Sequence, residues 1–188
     1  GADPARFLEL VFGPYAEDTD HPWHRLERGE IPLAEAREAI IALGAAEGVD
    51  TDPFHLFARM GRSGAGAREP LVARTRALRE AGLRTALVTN NAREFREAWE
   101  RLLPPLPELF DAVVDSSEVG ARKPAAAIFE IALERVGGPP PGRVLFLDDF
   151  EGNVRAAQSL GMRALRVDAD PTDALAALDA ILAARRGA

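Results

Sequence analysis

The sequence predicts an α/β fold in which a parallel sheet carries helices on both faces and a small helical unit comes first. After residue 70, short apolar segments alternate with segments of helical length, which is the pattern of repeated strand–helix units. The segment 143–147 is strongly apolar, as is typical of a parallel strand buried on both faces. Residues 1–60 instead read as helices separated by turns.

Gly and Pro residues mark the predicted ends of helices in the α/β part, so its helices and strands can be assigned in order. Gly82, Gly161 and the pair Pro104-Pro105 each follow a helical segment and are predicted to end it. The predicted order is helix 71–81, strand 83–88, helix 94–103, strand 110–115, helix 125–136, strand 143–147, helix 153–160, strand 162–167 and helix 171–184.

The N-terminal part contains one strongly periodic helical segment. Its apolar residues are Leu33, Ala36, Ala39, Ile40 and Leu43. Pro32 suits the start of this helix, and Gly44 is predicted to end it. The polar, Gly-containing stretch 63–69 predicts a linker. We therefore expect a helical unit at 1–62, a linker at 63–69 and the α/β unit at 70–188.

Composition excludes several classes of protein. The chain has 188 residues, 30 acidic and 23 basic side chains, and a net charge of −7. A general binder of nucleic acid or of membrane surfaces needs a basic face, so neither partner is expected. The chain has no Cys, which excludes disulfides and Cys nucleophiles and fits a reducing, cytoplasmic setting. Every basic residue other than Lys123 is Arg, so this one Lys calls for an explanation.

Polar side chains follow three of the predicted strands. They are Thr89 and Asn90 after the first strand, Lys123 beyond the second, and Asp148, Asp149 and Asn153 after the third. Ligands of parallel sheets bind beyond the carboxyl ends of the strands, so these groups should share one edge. A hydroxyl, an ammonium and paired carboxylates together suit an anion held with a divalent cation. Taken singly, each could equally be a helix cap, a turn residue or a solvated side chain.

The ordered set resembles the haloacid dehalogenase-like hydrolase superfamily. Its second, third and fourth motifs are similar to Leu87-Val88-Thr89-Asn90, Gly120-Ala121-Arg122-Lys123-Pro124 and Val144-Leu145-Phe146-Leu147-Asp148-Asp149. The segment Leu26-Glu27-Arg28-Gly29-Glu30-Ile31 resembles the small cap of the subgroup related to the phosphatase domain of soluble epoxide hydrolase. The resemblance implies a Rossmann-like core with a helical cap, and it covers nearly the whole chain.

The resemblance also implies a role for each site residue. Thr89, with Asn90 beside it, would bind the phosphoryl group, and Lys123 would neutralise its charge and orient the nucleophile. Asp149 would ligate Mg²⁺ with Asp148 in support, and Asn153 would brace the loop. The implied activity is Mg²⁺-dependent hydrolysis of a small phosphorylated metabolite through an aspartyl-phosphate.

The family's first motif is missing from this chain. That motif is an Asp-x-Asp at the end of an apolar strand, and its first Asp is the nucleophile. Asp18-Thr19-Asp20 follows Gly13-Pro14-Tyr15-Ala16-Glu17 rather than an apolar strand, so we expect a polar cap loop there. In the family, the first-motif strand lies between the strands that carry motifs two and four. We therefore expect a further N-terminal segment to supply the nucleophile, and the 188 residues alone to be inactive.

Three other functions are compatible with parts of this pattern. A catalytically dead relative, acting as a binding or assembly protein, is favoured by the missing nucleophile. A receiver-like phosphoacceptor module would carry its acidic pair first in the chain, whereas Asp148-Asp149 comes last. A true dehalogenase would replace this acidic pair and would need no Mg²⁺.

Overall fold

The computed structural model describes residues 3–60 and 67–186, and these form helices around two short parallel sheets. The helices are α1 (Pro4–Phe12), α2 (Pro22–Glu27), α3 (Leu33–Ala46), α4 (Pro53–Met60), α5 (Glu69–Glu80), α6 (Arg96–Glu100), α7 (Leu106–Leu109), α8 (Ser116–Val119), α9 (Ala126–Arg135), α10 (Glu151–Ser159) and α11 (Thr172–Arg186). The strands are β1 (Ala86–Thr89), β2 (Ala112–Asp115), β3 (Leu145–Asp148) and β4 (Arg163–Arg166). Single 3₁₀ turns occupy Arg93–Phe95 and Pro141–Arg143.

The strands are parallel, as the sequence predicts, and they form two separate pairs. β1 pairs with β2, placing Thr89 opposite Asp115, and β3 pairs with β4, placing Asp148 opposite Arg166. Within the described residues, β1 and β3 each have a neighbour on one side only. Residues 145–148 of β3 are therefore half-buried rather than fully buried, which corrects the expectation for this apolar strand.

Two hydrophobic clusters hold the chain together. The first joins α9, α10 and β2 and is built from Val114, Ala121, Ile128, Phe129, Ala132, Ala157 and Met162. The second lies in the N-terminal helices and is built from Trp23, Leu26, Ile31, Ala36, Ile40 and Ala92. Ala92 and the adjoining Phe95 follow β1, so the N-terminal helices, called the cap below, share this cluster with the α/β part.

Gly44 does not end its helix, contrary to the expectation from its position. α3 continues to Ala46, and the chain turns at Gly48, where φ is +69°. Gly44 is buried against Thr51, whose hydroxyl donates to the Ile40 carbonyl at 2.7 Å. A Cβ at position 44 would overlap the Thr51 side chain. Gly is therefore needed here for close packing, not as a helix stop.

Three further differences from the sequence-based expectations concern short helices, the bounds of one helix and the linker. The short helices α7 and α8 were not predicted, because four residues give no measurable helical periodicity. The predicted helix 94–103 is shorter, since it opens as a 3₁₀ turn and α6 ends at Glu100. Most of the predicted linker 63–69 lies outside the described residues, and the domain boundaries stay predictions.

The buried His24 makes cap stability depend on pH. Burial, reinforced by the positive charge of Arg122, lowers the pKa of His24 to about 3. The amide of Thr19 donates to His24 Nδ1 at 3.0 Å, which requires that nitrogen to be unprotonated. In the unfolded chain this imidazole takes a proton below about pH 6.5. Acidification through pH 6.5 therefore favours the unfolded state, and stability is regained as the pH rises.

We expect His24→Gln to flatten the fall in melting temperature between pH 7.5 and pH 5.0, because Gln does not titrate. Thermal unfolding of both proteins at each pH measures this. His55→Gln is the matched control, since this imidazole is exposed and lies beside Asp50 and Asp52 of the cap. An unchanged pH slope in the His24 variant would contradict the assignment.

Candidate active site

Lys123 joins the carboxyl ends of β1 and β3. Its ammonium donates to the Val88 carbonyl at 3.0 Å and to Asp148 Oδ2 at 2.7 Å. The Lys123 side chain is 11% exposed. The structure thus brings together the Lys and the acidic pair, which are separated by more than twenty residues in the sequence, at the carboxyl ends of β1 and β3.

Asn90 fixes the loop that carries Lys123. The Asn90 amide nitrogen donates to the Lys123 carbonyl at 2.9 Å, and the Lys123 N–H donates to Asn90 Oδ1 at 2.8 Å. Both functions of this side chain are therefore used to bind the loop backbone. The Asn90 amide has a second N–H that can donate to a bound anion, and the expected phosphate contact of Asn90 stays a prediction.

The two carboxylates of the acidic pair have different surroundings. The Asp148 side chain is 7% exposed, and besides Lys123 it accepts from the Phe150 N–H at 2.9 Å and from Asn153 Nδ2 at 3.0 Å. The Asp149 side chain is 68% exposed and has one ion-pair contact, with Arg68 Nη2 at 3.3 Å. The oxygens of Asp148 thus already accept hydrogen bonds from the protein, whereas the Asp149 carboxylate is accessible to an external ligand.

These residues fit a Mg²⁺ ion. Mg²⁺ prefers oxygen ligands and is commonly held by one or two carboxylates together with water and substrate phosphate. Asp149 supplies an accessible carboxylate, and the buried Asn153 Oδ1 has no hydrogen-bond partner among the described residues. Within residues 3–60 and 67–186, no group of three or more His, Cys, Asp or Glu side chains is placed to hold a metal ion, so a bound cation would need ligands of other kinds or from elsewhere.

Thr89 lies at the end of β1, one residue from the Lys123 contact at Val88. Within the part of the chain that the structure describes, its hydroxyl reaches only the Asn90 carbonyl, at 3.5 Å, which is the outer limit of a hydrogen bond. The hydroxyl can therefore turn to donate to an oxyanion at the strand end.

Three Asp-x-Asp segments of the described chain serve the fold rather than the site. The first is Asp18-Thr19-Asp20, where Asp18 pairs with Arg28, as a polar cap loop should. In the second, Asp52 pairs with Arg37 and caps the N–H of Phe54. In the third, after β4, Asp168 pairs with Arg166 and Asp170 accepts from Thr172 at the start of α11.

Sequence reasoning missed two groups beside the site. Tyr15 of the cap contacts Phe150, with ring centroids 4.4 Å apart, directly after the acidic pair. Burial and the negative charges of Glu27 and Asp149 raise the pKa of Tyr15. The other group is the buried pair of Arg122 and Glu27, described further below. Neither could be found from spacing, because each joins residues from distant parts of the sequence.

The carboxyl ends of β1 and β3 therefore bring together a hydroxyl, an ammonium and two carboxylates, groups that suit an anion held with a cation. Residues 15–161 match the family of haloacid dehalogenase-like hydrolases, and the chain belongs to this family. The match confirms the membership that the second, third and fourth motifs imply.

Curated relatives include phosphatases. The chain is 30% identical over 184 residues to phosphoserine phosphatase of Thermus thermophilus, covering 87% of this chain and 71% of that protein. It is 31% identical over 115 residues to bifunctional epoxide hydrolase 2 of Rattus norvegicus, covering 60% of this chain and 20% of that protein. The chain spans only 9% to 42% of the length of four of the relatives it matches.

A solved structure confirms the Rossmann-like α/β fold. A haloacid dehalogenase family enzyme from Bacteroides thetaiotaomicron, in complex with magnesium and inorganic phosphate, superimposes with a TM-score of 0.62 at 22% identity. The superposition covers 88% of this chain and 85% of that enzyme. Among the helices of the described residues, none is long and apolar enough to cross a membrane.

Proposed function

We propose that the whole protein is a Mg²⁺-dependent phosphohydrolase that acts on a small phosphorylated metabolite through an aspartyl-phosphate. The observation that carries this proposal is the position of the Lys123 ammonium, which lies between the ends of β1 and β3 and contacts Asp148 at 2.7 Å. Phosphatases among the relatives support it, as does membership of the hydrolase family. The absence of Cys is compatible with a cytoplasmic location, which the proposal includes.

Two groups of this chain would bind the transferring phosphoryl group, and a third would hold one of them in place. The Thr89 hydroxyl would donate to one phosphoryl oxygen, and the Lys123 ammonium would neutralise another. Asp148 would hold the ammonium in place through its existing ion pair. Phosphoryl transfer depends chiefly on such positioning and charge stabilisation, so these contacts account for a large part of catalysis.

Asp149 would hold the Mg²⁺ ion, with Asn153 Oδ1 as the neighbouring oxygen donor. When bound, the ion supplies a positive charge that balances the phosphate and the nearby carboxylates. Asp149 is the better ligand of the acidic pair because it is exposed, whereas Asp148 already has three donors. Arg68, which contacts Asp149 at 3.3 Å, would have to give way to the ion.

The nucleophile would come from a segment outside these 188 residues that inserts between β1 and β3. Each of these strands has one unpaired edge within the described residues, and an inserted strand would satisfy the backbone groups there. A carboxylate at the end of that strand would face Lys123. Its oxygen would bond to phosphorus as the ester oxygen leaves, and water would then release inorganic phosphate.

The test is a phosphatase assay with 4-nitrophenyl phosphate on the protein expressed from its natural start. We expect phosphate release with Mg²⁺, loss of release with a chelator, and none from residues 1–188 alone. Restoration by added Mg²⁺ controls for damage by the chelator. Mg²⁺-dependent turnover by residues 1–188 alone would contradict the external nucleophile.

A catalytically dead relative remains the second candidate. It is favoured by the structural use of all three Asp-x-Asp segments within the described residues. Failure of the full-length protein to release phosphate from a panel of small phosphorylated metabolites, at any Mg²⁺ concentration, would select it.

A further inference from the structure

Arg122, the residue before Lys123, is buried although it belongs to a loop. Its side chain is 1% exposed, and it is the largest of the fully buried side chains. A guanidinium is rarely buried to this extent unless it is paired, because it loses its hydration. The hydrogen-bond and ion-pair partners of Arg122 therefore explain how its charge is buried.

Among the described residues, every partner of the Arg122 side chain belongs to the cap. Arg122 Nε donates to Glu27 Oε2 at 2.7 Å, and Nη1 donates to the Glu17 carbonyl at 2.7 Å. Asp18 lies 3.7 Å from Nη1. A residue adjoining the site is thus tied to α2 and to the loop before it.

A second cap residue, Trp23, orients the Glu27 carboxylate towards Arg122. The Trp23 indole N–H donates to Glu27 Oε1 at 2.9 Å, so one carboxylate oxygen binds the cap and the other binds the α/β part. Burial raises the pKa of Glu27, and the charge of Arg122 opposes that rise. The Glu27 carboxylate therefore links Trp23 of the cap directly to Arg122 of the α/β part.

We propose that Arg122 and Glu27 are positioning residues that couple docking of the cap to the placement of the Lys123 ammonium. The proposal rests on the phosphate-binding role given to Lys123 above. Docking holds Arg122, and the adjoining peptide then holds the Lys123 backbone against Asn90. The ammonium consequently reaches Val88 and Asp148 when the cap is closed.

Lys123 is the only Lys of the 188 residues, so a peptide from this part of the chain that carries an acylated Lys reports on Lys123 alone. The first experiment measures how fast an amine-reactive ester acylates Lys123 in the full-length protein, read by peptide mass spectrometry. We expect Glu27→Gln to speed this acylation about tenfold, because loss of the carboxylate charge loosens the loop. An unchanged rate would overturn the coupling.

Asp52→Asn is the matched control. It removes another ion pair of the cap, with Arg37, that does not reach the α/β part. We expect this variant to acylate Lys123 at the wild-type rate. Equal acceleration in both variants would mean that general loosening of the cap is responsible, and would overturn the proposal.

The double variant Glu27→Gln with Arg122→Met distinguishes loss of coupling from misfolding. It removes both buried charges together, so neither is left unpaired in the folded protein. We expect a melting temperature near that of the wild type and acylation still accelerated. A wild-type acylation rate in this folded variant would show that the pair is only structural and would overturn the proposal.

The second experiment measures kcat/KM. We expect Glu27→Gln to lower it about tenfold in the wild-type background and to have no further effect when Lys123 is already Ala, because both changes act on the same ammonium. Additive losses would contradict action through Lys123. If the full-length protein has no phosphatase activity, the proposed function fails, while the acylation experiment still decides the coupling.

Discussion

Lys123→Ala is expected to lower kcat/KM of the full-length protein for phosphate esters by about 10²–10³-fold, the usual cost of removing one group that stabilises charge in the transition state. The ammonium is held by Val88 and Asp148 at the end of two strands, so its loss removes the positive charge from this position. Lys123→Arg is also expected to be impaired, since a planar guanidinium does not fit a site shaped for a compact ammonium.

Asp149→Asn is expected to impair turnover by weakening the binding of Mg²⁺. It keeps the size of the side chain but removes the accessible charge, so we expect a comparable loss of turnover and a higher Mg²⁺ concentration for half-maximal rate. Steady-state kinetics over a Mg²⁺ titration measures both effects.

Arg166→Ala and Asp168→Asn are the matched controls for these two changes. These residues pair with each other at and just after the end of β4, one strand away from the site. We expect near-wild-type kinetics for both. Normal rates in the Lys123 and Asp149 variants would refute the site, and equal losses in the controls would indicate a general electrostatic effect.

Gly29→Ala is expected to cost about 3 kcal/mol of unfolding free energy, from a strained backbone and a steric overlap together. Gly29 follows α2 with φ of +67°, and a Cβ there would overlap the Ser117 carbonyl oxygen. Arg93 already donates to that carbonyl at 2.8 Å, so it cannot move away freely. The substitution therefore strains the contact between cap and α/β part. Urea unfolding measures the loss.

Gly48→Ala separates the two contributions. Gly48 has nearly the same φ, +69°, but a Cβ there would meet no atom within 4 Å. We expect this control to lose only the backbone cost, about 1–2 kcal/mol. Equal losses at the two positions would mean that the approach of Gly29 to Ser117 is not close in solution.

The elements predicted most accurately are those with strong local signals. The helix predicted at 125–136 is α9, Ala126–Arg135, because its apolar spacing and the following glycines define both ends. The strand predicted at 143–147 is β3, Leu145–Asp148, because an apolar run this short, bounded by turn residues, favours a strand over a helix. Gly44 was misinterpreted because its partner, Thr51, lies beyond the reach of a local pattern.

The sequence was enough to predict which polar residues follow the strand ends, but not which partner each of them contacts. Strand order and the rule that ligands bind beyond strand ends were enough to select Thr89, Lys123 and the acidic pair. The different states of Asp148 and Asp149 follow from which carboxylate points towards Lys123 and the α10 backbone. That direction depends on how two separate sheets are placed, which local sequence does not specify.

The sequence by itself determined the fold class, the family and the identity of the polar groups at the strand ends, because each depends on local spacing and motif order. Only the tertiary structure decided that Asn90 binds the Lys123 loop and that Arg122 is buried against Glu27 of the cap. The physical reason is that burial and ion pairing are properties of surfaces brought together by folding. A solvated Arg and a buried, paired Arg look the same in a sequence.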